Sequence, residues 1–222
     1  MTPELVEAIV AHAARELPRE ACGLIVRRVG EAVYFPCRNE VAEEHHFDIA
    51  AEDWVVAEDA GEVLAIVHTH TDGTYAPSEK DREQCDKSGF PWYVFGLHGK
   101  WTRFTPKNWS VTGKPFTWGV QDCYTLAHDW MGNTPDYERS EGFWRRSDLF
   151  GRGVANSAFT TLPIDEEPRL GDLLLFSVRG KYPDHCAIYL GDGNILHHSV
   201  GRLSAATPIG NLVEKLYCIV RR

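Results

Sequence analysis

Two groups of residues in this 222-residue chain have the types and spacing that bond-breaking chemistry needs. The first lies in Val63-Leu-Ala-Ile-Val-His-Thr-His70, an apolar run that reads as a strand. Side chains alternate faces along a strand, so His68 and His70 point the same way. Two imidazoles on one face can hold one metal ion. Zinc accepts imidazole nitrogen and carboxylate oxygen, and a catalytic site takes three protein ligands and leaves a position for water. Asp81 can be the third ligand. Ser78-x-x-Asp81, following Pro77, reads as the first turn of a helix, where the helix dipole favours a carboxylate. An activated water needs a base to take its proton, and Glu20, at the junction of a helix and a strand, is the candidate. Alone, a His-x-His pair equally suits an exposed strand face, and Ser78-x-x-Asp81 alone suits a capping box.

The second group begins at Asp122-Cys123-Tyr-Thr-Leu-Ala-His-Asp-Trp-Met131, which places Cys123 at the start of a helix. Exposed amides and the helix dipole stabilise a thiolate there. A cysteine nucleophile also needs a base and a polar group that orients the base. Asp184-His-Cys-Ala-Ile-Tyr-Leu190 supplies His185 at a strand start, and Asn194-Ile-Leu-His-His-Ser199 supplies His197 and His198. Hairpin register decides between these two. A two-residue turn at Asp192-Gly193 puts Ala187 opposite His198, whereas a three-residue loop from Gly191 to Gly193 puts it opposite His197, because a slip of one residue flips every side chain. Cys186 points to the other face from His185 and reads as core, as does Cys22 beside Glu20. His12, His45, His46, His98 and His128 receive no role.

Taken together, the first group resembles the JAMM (MPN) metalloprotease family. Glu20 stands well upstream of His68-Thr69-His70, then come seven residues, Ser78, two residues and Asp81. The resemblance implies zinc on His68, His70 and Asp81, Glu20 as general base, and Ser78 helping to hold a developing oxyanion. It also implies a cytidine-deaminase-like fold and hydrolysis of an amide or isopeptide bond. Thr71 stands where many members of that family have proline. The second group, with Gly171-Asp172 before an apolar strand and Asp184-His185-x-Ala187-Ile188-Tyr189, resembles the NlpC family of papain-like cysteine peptidases. That implies Cys123 as nucleophile, His185 as base and an orienter about twelve residues on, which selects His197.

A JAMM-like domain followed by an NlpC-like one, with Gly113-Lys-Pro-Phe-Thr-Trp-Gly-Val-Gln-Asp-Cys-Tyr-Thr-Leu126 and the insertion Gly142-Phe-Trp-Arg-Arg146, resembles the tail tip assembly proteins of lambda-like phages and related gene transfer agents. The resemblance implies a protein made in the host cytoplasm, carried in the tail tip beside other tip or hub proteins and acting in the cell envelope on peptidoglycan stem peptides. Two other roles are compatible with the residues: a structural assembly part with one or both sites inactive, and a host peptidase.

The elements that must position these residues are legible in outline. The first half reads as a helix from Thr2 or Pro3 with Leu5, Ile9, Ala13 and Leu17 on one face, strands Ala21–Arg28 and Ala32–Pro36, a helix near Ala50–Glu58, strand Val63–His70, a helix near Ser78–Lys87, strand Trp92–His98 and a short strand Trp101–Phe104. This alternation predicts an α/β or α+β domain. The second half reads as a helix over Asp122–Met131, a loop-rich stretch, and strands Asp172–Val178, His185–Leu190 and Asn194–Ser199, an α+β pattern. The polar segment Thr105-Pro-Lys-Asn-Trp-Ser-Val-Thr-Gly-Lys-Pro115 separates them, giving domains at 1–107 and 108–222.

Composition narrows the function classes. The net charge of −9 and the absence of a basic run argue against nucleic acid as a partner. No apolar run reaches the roughly 20 residues of a membrane helix. The early glutamates and missing basic segment argue against a secretory signal. Six cysteines without a CxxC pair argue against a zinc knuckle or thioredoxin-like motif and predict reduced thiols.

Overall fold

The computed structural model describes residues 1–43, 45–132, 145, 148–155 and 158–222. The chain forms two compact units, Met1–Trp109 and Ser110–Arg222. Among the described residues no helix is long and apolar enough to cross a membrane.

The first unit opens with α1 (Pro3–Glu16), whose Pro3 suits the first helical turn because no partner awaits its missing N–H. Leu5, Ile9, His12 and Ala13 are its buried face. Leu17 does not extend that face. It leaves helical geometry (ψ 137°) and is 48% exposed. His12 is buried instead because its Nδ1 bonds to the Tyr34 hydroxyl at 2.9 Å. Then come β1 (Cys22–Arg28), β2 (Glu31–Cys37), α2 (Ala51–Ala60), β3 (Glu62–His70), α3 (Glu79–Ser88), β4 (Trp92–Gly96) and β5 (Trp101–Phe104). The sheet order is β2-β1-β3-β4-β5, and only the β3–β4 pair is parallel. A parallel pair needs a crossover, which α3 provides. β4 stops at Gly96, short of the expected His98, because Gly99 N–H turns back to the Gly96 carbonyl. β3 is central, so it is apolar on both faces until its end, where His68, Thr69 and His70 sit. Leu24, Val26, Ile66 and Trp92 form the core beneath His68, with Phe47 and Trp54 packed on its edge.

The second unit contains α4 (Cys123–Met131), α5 (Leu149–Ala155), β6 (Thr160–Leu162), β7 (Leu173–Phe176), β8 (His185–Gly191), β9 (Asn194–His197), β10 (Ala205–Pro208), a 3-10 turn (Gly210–Lys215) and β11 (Leu216–Arg221). Its sheet order is β10-β9-β8-β7-β11-β6 with every neighbouring pair antiparallel. Alternation splits the core into two layers. Leu173, Leu175, Cys186, Ile188 and Val220 pack with Cys123, Leu126 and Ala127 of α4. Leu174, Phe176, Ala187, Ile195 and Ile219 face the other way, against Leu162, Ile209 and Leu212. Beyond the sequence expectation, the described residues here include α5, β6, β10, the 3-10 turn and β11. β11 pairs with β7 and β6, so it lies inside the sheet. Of the Gly142-Phe-Trp-Arg-Arg146 insertion, residues 142–144 and 146 lie outside the described residues.

Candidate metal and cysteine sites

His68 and His70 end β3 on the same face, as strand parity requires. α3 brings Asp81 to them from its first turn. His68 Nε2 lies 3.2 Å from His70 Nε2 and 3.3 Å from Asp81 Oδ1, and His70 Nε2 lies 3.4 Å from Asp81 Oδ2. Two imidazole nitrogens at this distance share either an N–H hydrogen bond or a metal ion. The three ligand atoms lie within 4.8 Å of one another. Tetrahedral zinc with bonds of about 2.0–2.1 Å separates its ligand atoms by about 3.3–3.4 Å. The donor set and its spacing therefore fit zinc.

The surroundings prepare each ligand differently. Asp81 is the third residue of α3 and completes a capping box. Its Oδ2 accepts from the Ser78 N–H and Oγ–H, both at 2.7 Å, while Ser78 Oγ accepts from the Asp81 N–H at 3.1 Å. Burial pushes its pKa up, but the hydrogen bonds from His68, His70 and Ser78 prevail and hold it well below the usual carboxylate range. The hydroxyl proton of Ser78 is thus committed to Asp81. His70 Nδ1 lies 3.0 Å from Thr74 Oγ1, which donates onward to Asp72 at 2.8 Å. That chain accepts an Nδ1 proton, so Nε2 is the nitrogen that faces Asp81 and that would ligate a metal, the outer-shell arrangement metal-binding histidines use. His68 is fully buried, stacked on Phe47 (4.6 Å, 20°) and edge-on to Trp92 (5.5 Å, 75°). Its Nδ1 has no hydrogen-bond partner, and burial lowers its pKa. Glu20 is buried beside the triad, and burial pushes its carboxyl up to about 7. A cleft of about 970 Å³ opens here, lined by Glu20, His70, Asp81, Phe47 and Trp92 among others. His45 and His46, which carry no role in the sequence reading, also line it. Thr71 Oγ1 contacts His45 Nδ1 at 3.4 Å.

The second site is built from α4, β8, β9 and β10. Asp122 caps α4, accepting from the N–H groups of Gly119 (2.8 Å) and Thr125 (3.0 Å) and from the Thr125 hydroxyl. The cap leaves Cys123 as the first helical residue. Its thiol shares a hydrogen bond with Cys186 and another with His185. Together these outweigh burial and hold its pKa well below the ordinary thiol value. His185 Nε2 lies 3.1 Å from His197 Nδ1, and His197 Nε2 lies 3.1 Å from Thr207 Oγ1. Cys123, His185, His197 and Thr207 therefore form one continuous hydrogen-bonded chain.

Register explains why His197 occupies that place. Gly191 pairs with Asn194, so the turn is the two-residue Asp192-Gly193, both at positive φ (51° and 70°) as a primed hairpin turn needs. The ladder then shifts between Tyr189 and Gly191, leaving Leu190 unpaired, and Ala187 faces His197. The expected link between a two-residue turn and His198 fails because this bulge restores one residue of offset. His198 lies on the other face, buried edge-on to Phe116 at 5.2 Å, and its Nε2 has no hydrogen-bond partner. Three contacts were invisible in the sequence. Thr207 sits on the unrecognised β10, Thr74 and Asp72 lie in a loop, and Cys186 reaches Cys123 although strand parity assigns it to packing. Asp172 and Asp184 are structural: Asp172 bonds Arg221 (2.7 Å), and Asp184 accepts the N–H groups of Val178 and Arg179.

Residues 2–111 match the family of prokaryotic homologs of the JAB domain, and residues 113–222 match the NlpC/P60 family. The chain is 36% identical to tail tip assembly protein K of Escherichia phage N15, an alignment covering 100% of this chain and 95% of that one. It is also 36% identical to tail tip assembly protein K of Escherichia phage lambda, over 70% of this chain and 79% of the relative. A crystal structure of an NlpC/P60 family protein from Bacillus cereus is similar at 15% identity and a TM-score of 0.38, covering 94% of this chain and 65% of that one.

Proposed function

Since this chain belongs to the family of phage tail tip assembly protein K, with a JAB-like domain followed by an NlpC/P60 domain, we propose that it is a tail tip hydrolase whose second unit cuts the peptide bonds of peptidoglycan stem peptides. The observation that carries this reading is the chain from Cys123 through His185 to His197. The Cys123 thiolate attacks the scissile carbonyl carbon and forms an S–C bond. His185, as imidazolium, gives its proton to the departing amine as the C–N bond breaks. Water then attacks the thioester, His185 takes its proton, and the thiolate is regenerated. His197, neutral with its proton on Nε2 toward Thr207 Oγ1, accepts the His185 Nε2–H at Nδ1 and fixes the ring's orientation. Purified sacculi test this: Cys123→Ala is expected to release no muropeptides, and release at the wild-type rate rejects Cys123 as nucleophile.

In the first unit, His68, His70 and Asp81 would hold zinc. When bound there, zinc supplies Lewis-acid polarisation of an amide carbonyl and lowers the pKa of a water molecule. Glu20 takes up a proton at its carboxylate and passes it to the leaving amine. Ser78 holds Asp81 in its ligating orientation by donating to Oδ2. Metal analysis is expected to find about one zinc per chain, lost in His68→Ala. Other tail tip or hub proteins are its proposed neighbours in the particle, with action in the host envelope. A Cys123→Ala plus Glu20→Gln double variant that assembles and infects normally would instead favour a structural role with dispensable catalysis.

A further inference from the structure

The second unit holds a thiol that the peptide cleavage above does not use. Cys186 follows His185 on β8 and is fully buried in the same cluster as Cys123, where α4 packs on the sheet. The two thiols share a hydrogen bond. We propose that Cys123 and Cys186 form a reversible dithiol–disulfide pair that captures oxidation of Cys123 by small hydroperoxides. This rests on thiol chemistry and stands whether or not Cys123 cleaves peptides.

The other four cysteines do not compete. Cys22, Cys37 and Cys85 belong to the first unit, and each thiol donates to a backbone carbonyl. Burial pushes Cys37, Cys85 and Cys218 up to about 12, which leaves almost no thiolate near neutral pH. Cys218 shares the cluster, yet it pairs with Leu175 on the strand between it and Cys186. Two strand spacings separate those cysteines by about 10 Å, beyond the roughly 7 Å limit for bridging. Cys123 combines a helix N-terminus, a neighbouring imidazole and slight exposure (6%), so it is the thiol a peroxide attacks.

The chemistry balances in two steps. The Cys123 thiolate attacks one peroxide oxygen: an S–O bond forms, the O–O bond breaks, and the other oxygen leaves with a proton as water or an alcohol. Cys186 then attacks the sulfenic sulfur. An S–S bond forms, the S–O bond breaks, and water departs with the Cys186 proton. The two thiols lose two electrons and the peroxide gains them. A sulfenic acid lacking such a partner advances to sulfinic acid, which dithiothreitol does not reverse.

The test uses the full reduced chain, freed of reductant and exposed to a small molar excess of hydrogen peroxide, enough for two oxygen transfers per Cys123. Wild type is expected to lose about 2 Da, with a non-reducing peptide map joining Cys123 to Cys186 and full reversal by dithiothreitol. Cys186→Ala is expected to gain about 16 and then about 32 Da at Cys123, the latter irreversibly. Cys218→Ala should cross-link as wild type does, which keeps the test decisive if Cys186→Ala does not fold. Oxygen accumulating on wild-type Cys123 without a cross-link, or a cross-link between other cysteines, overturns the proposal.

Discussion

His197 shows how much one ring can depend on its surroundings. Burial, and then the charges of His185, His198 and Arg202, lower its pKa from 6.5 to about 4. It therefore stays neutral in the folded protein at pH values where the unfolded chain binds a proton. Between about 6.5 and about 4 the unfolded state holds more protons, so stability is complete above that window and is lost as pH falls through it. We predict that the thermal midpoint of the second unit falls between pH 6.5 and 4, with a shallower slope in His197→Asn. Each ~1 kcal/mol lost corresponds to about 4–8 °C for a domain of this size. Equal slopes in both proteins would remove His197 from the account. At this scale, what sequence revealed was what local periodicity controls. His68 and His70 share a face because they are two apart on a strand, and Asp81 faces them because a capping box starts α3. Thr74 and Thr207 depend on a loop and on an unrecognised strand, and no spacing rule reaches either.

Among the elements, β1 is paired along both edges, with β2 and β3. Gly23 pairs with Pro36 on one side and Val67 on the other, immediately before His68 at the end of β3. A Cβ there would lie 2.5 Å from the Phe35 carbonyl oxygen and 2.6 Å from the Tyr34 hydroxyl. The carbonyl is backbone and cannot move aside cheaply. Gly23→Ala is expected to cost about 1–3 kcal/mol, read as a lower urea midpoint with an unchanged slope. A neutral outcome would mean that β2 shifts freely. Most helices and strands of the first unit were legible because they alternate and carry caps or breakers. The second unit was less so. Leu216-Tyr-Cys-Ile-Val-Arg221 is short and apolar on both faces, a pattern that period alone does not assign, and its partners β6 and β7 lie far away in sequence.

On the scale of the whole molecule, the chain carries two separate cores. The proposed zinc ligands all belong to the first unit and the proposed nucleophile to the second. Added zinc at one hundred times its dissociation constant is expected to stabilise the first unit by ~2.7 kcal/mol. In calorimetry of the intact chain, the zinc-sensitive transition should disappear in His68→Ala, while the transition altered by His197→Asn should not respond to zinc. A single transition moved equally by both variants would refute this independence. The order of the two domains was legible from motif types alone, because each motif needs its own supporting elements.

The unpaired Leu190 makes the β8–β9 hairpin a register selector. An unbroken ladder from the Asp192-Gly193 turn would bring His198, instead of His197, opposite Ala187 and would swap Ile195 and Leu196 between the two layers they fill. Deleting Leu190 would keep Ala187 opposite His197 without a bulge, turning the selector into a fixed connection.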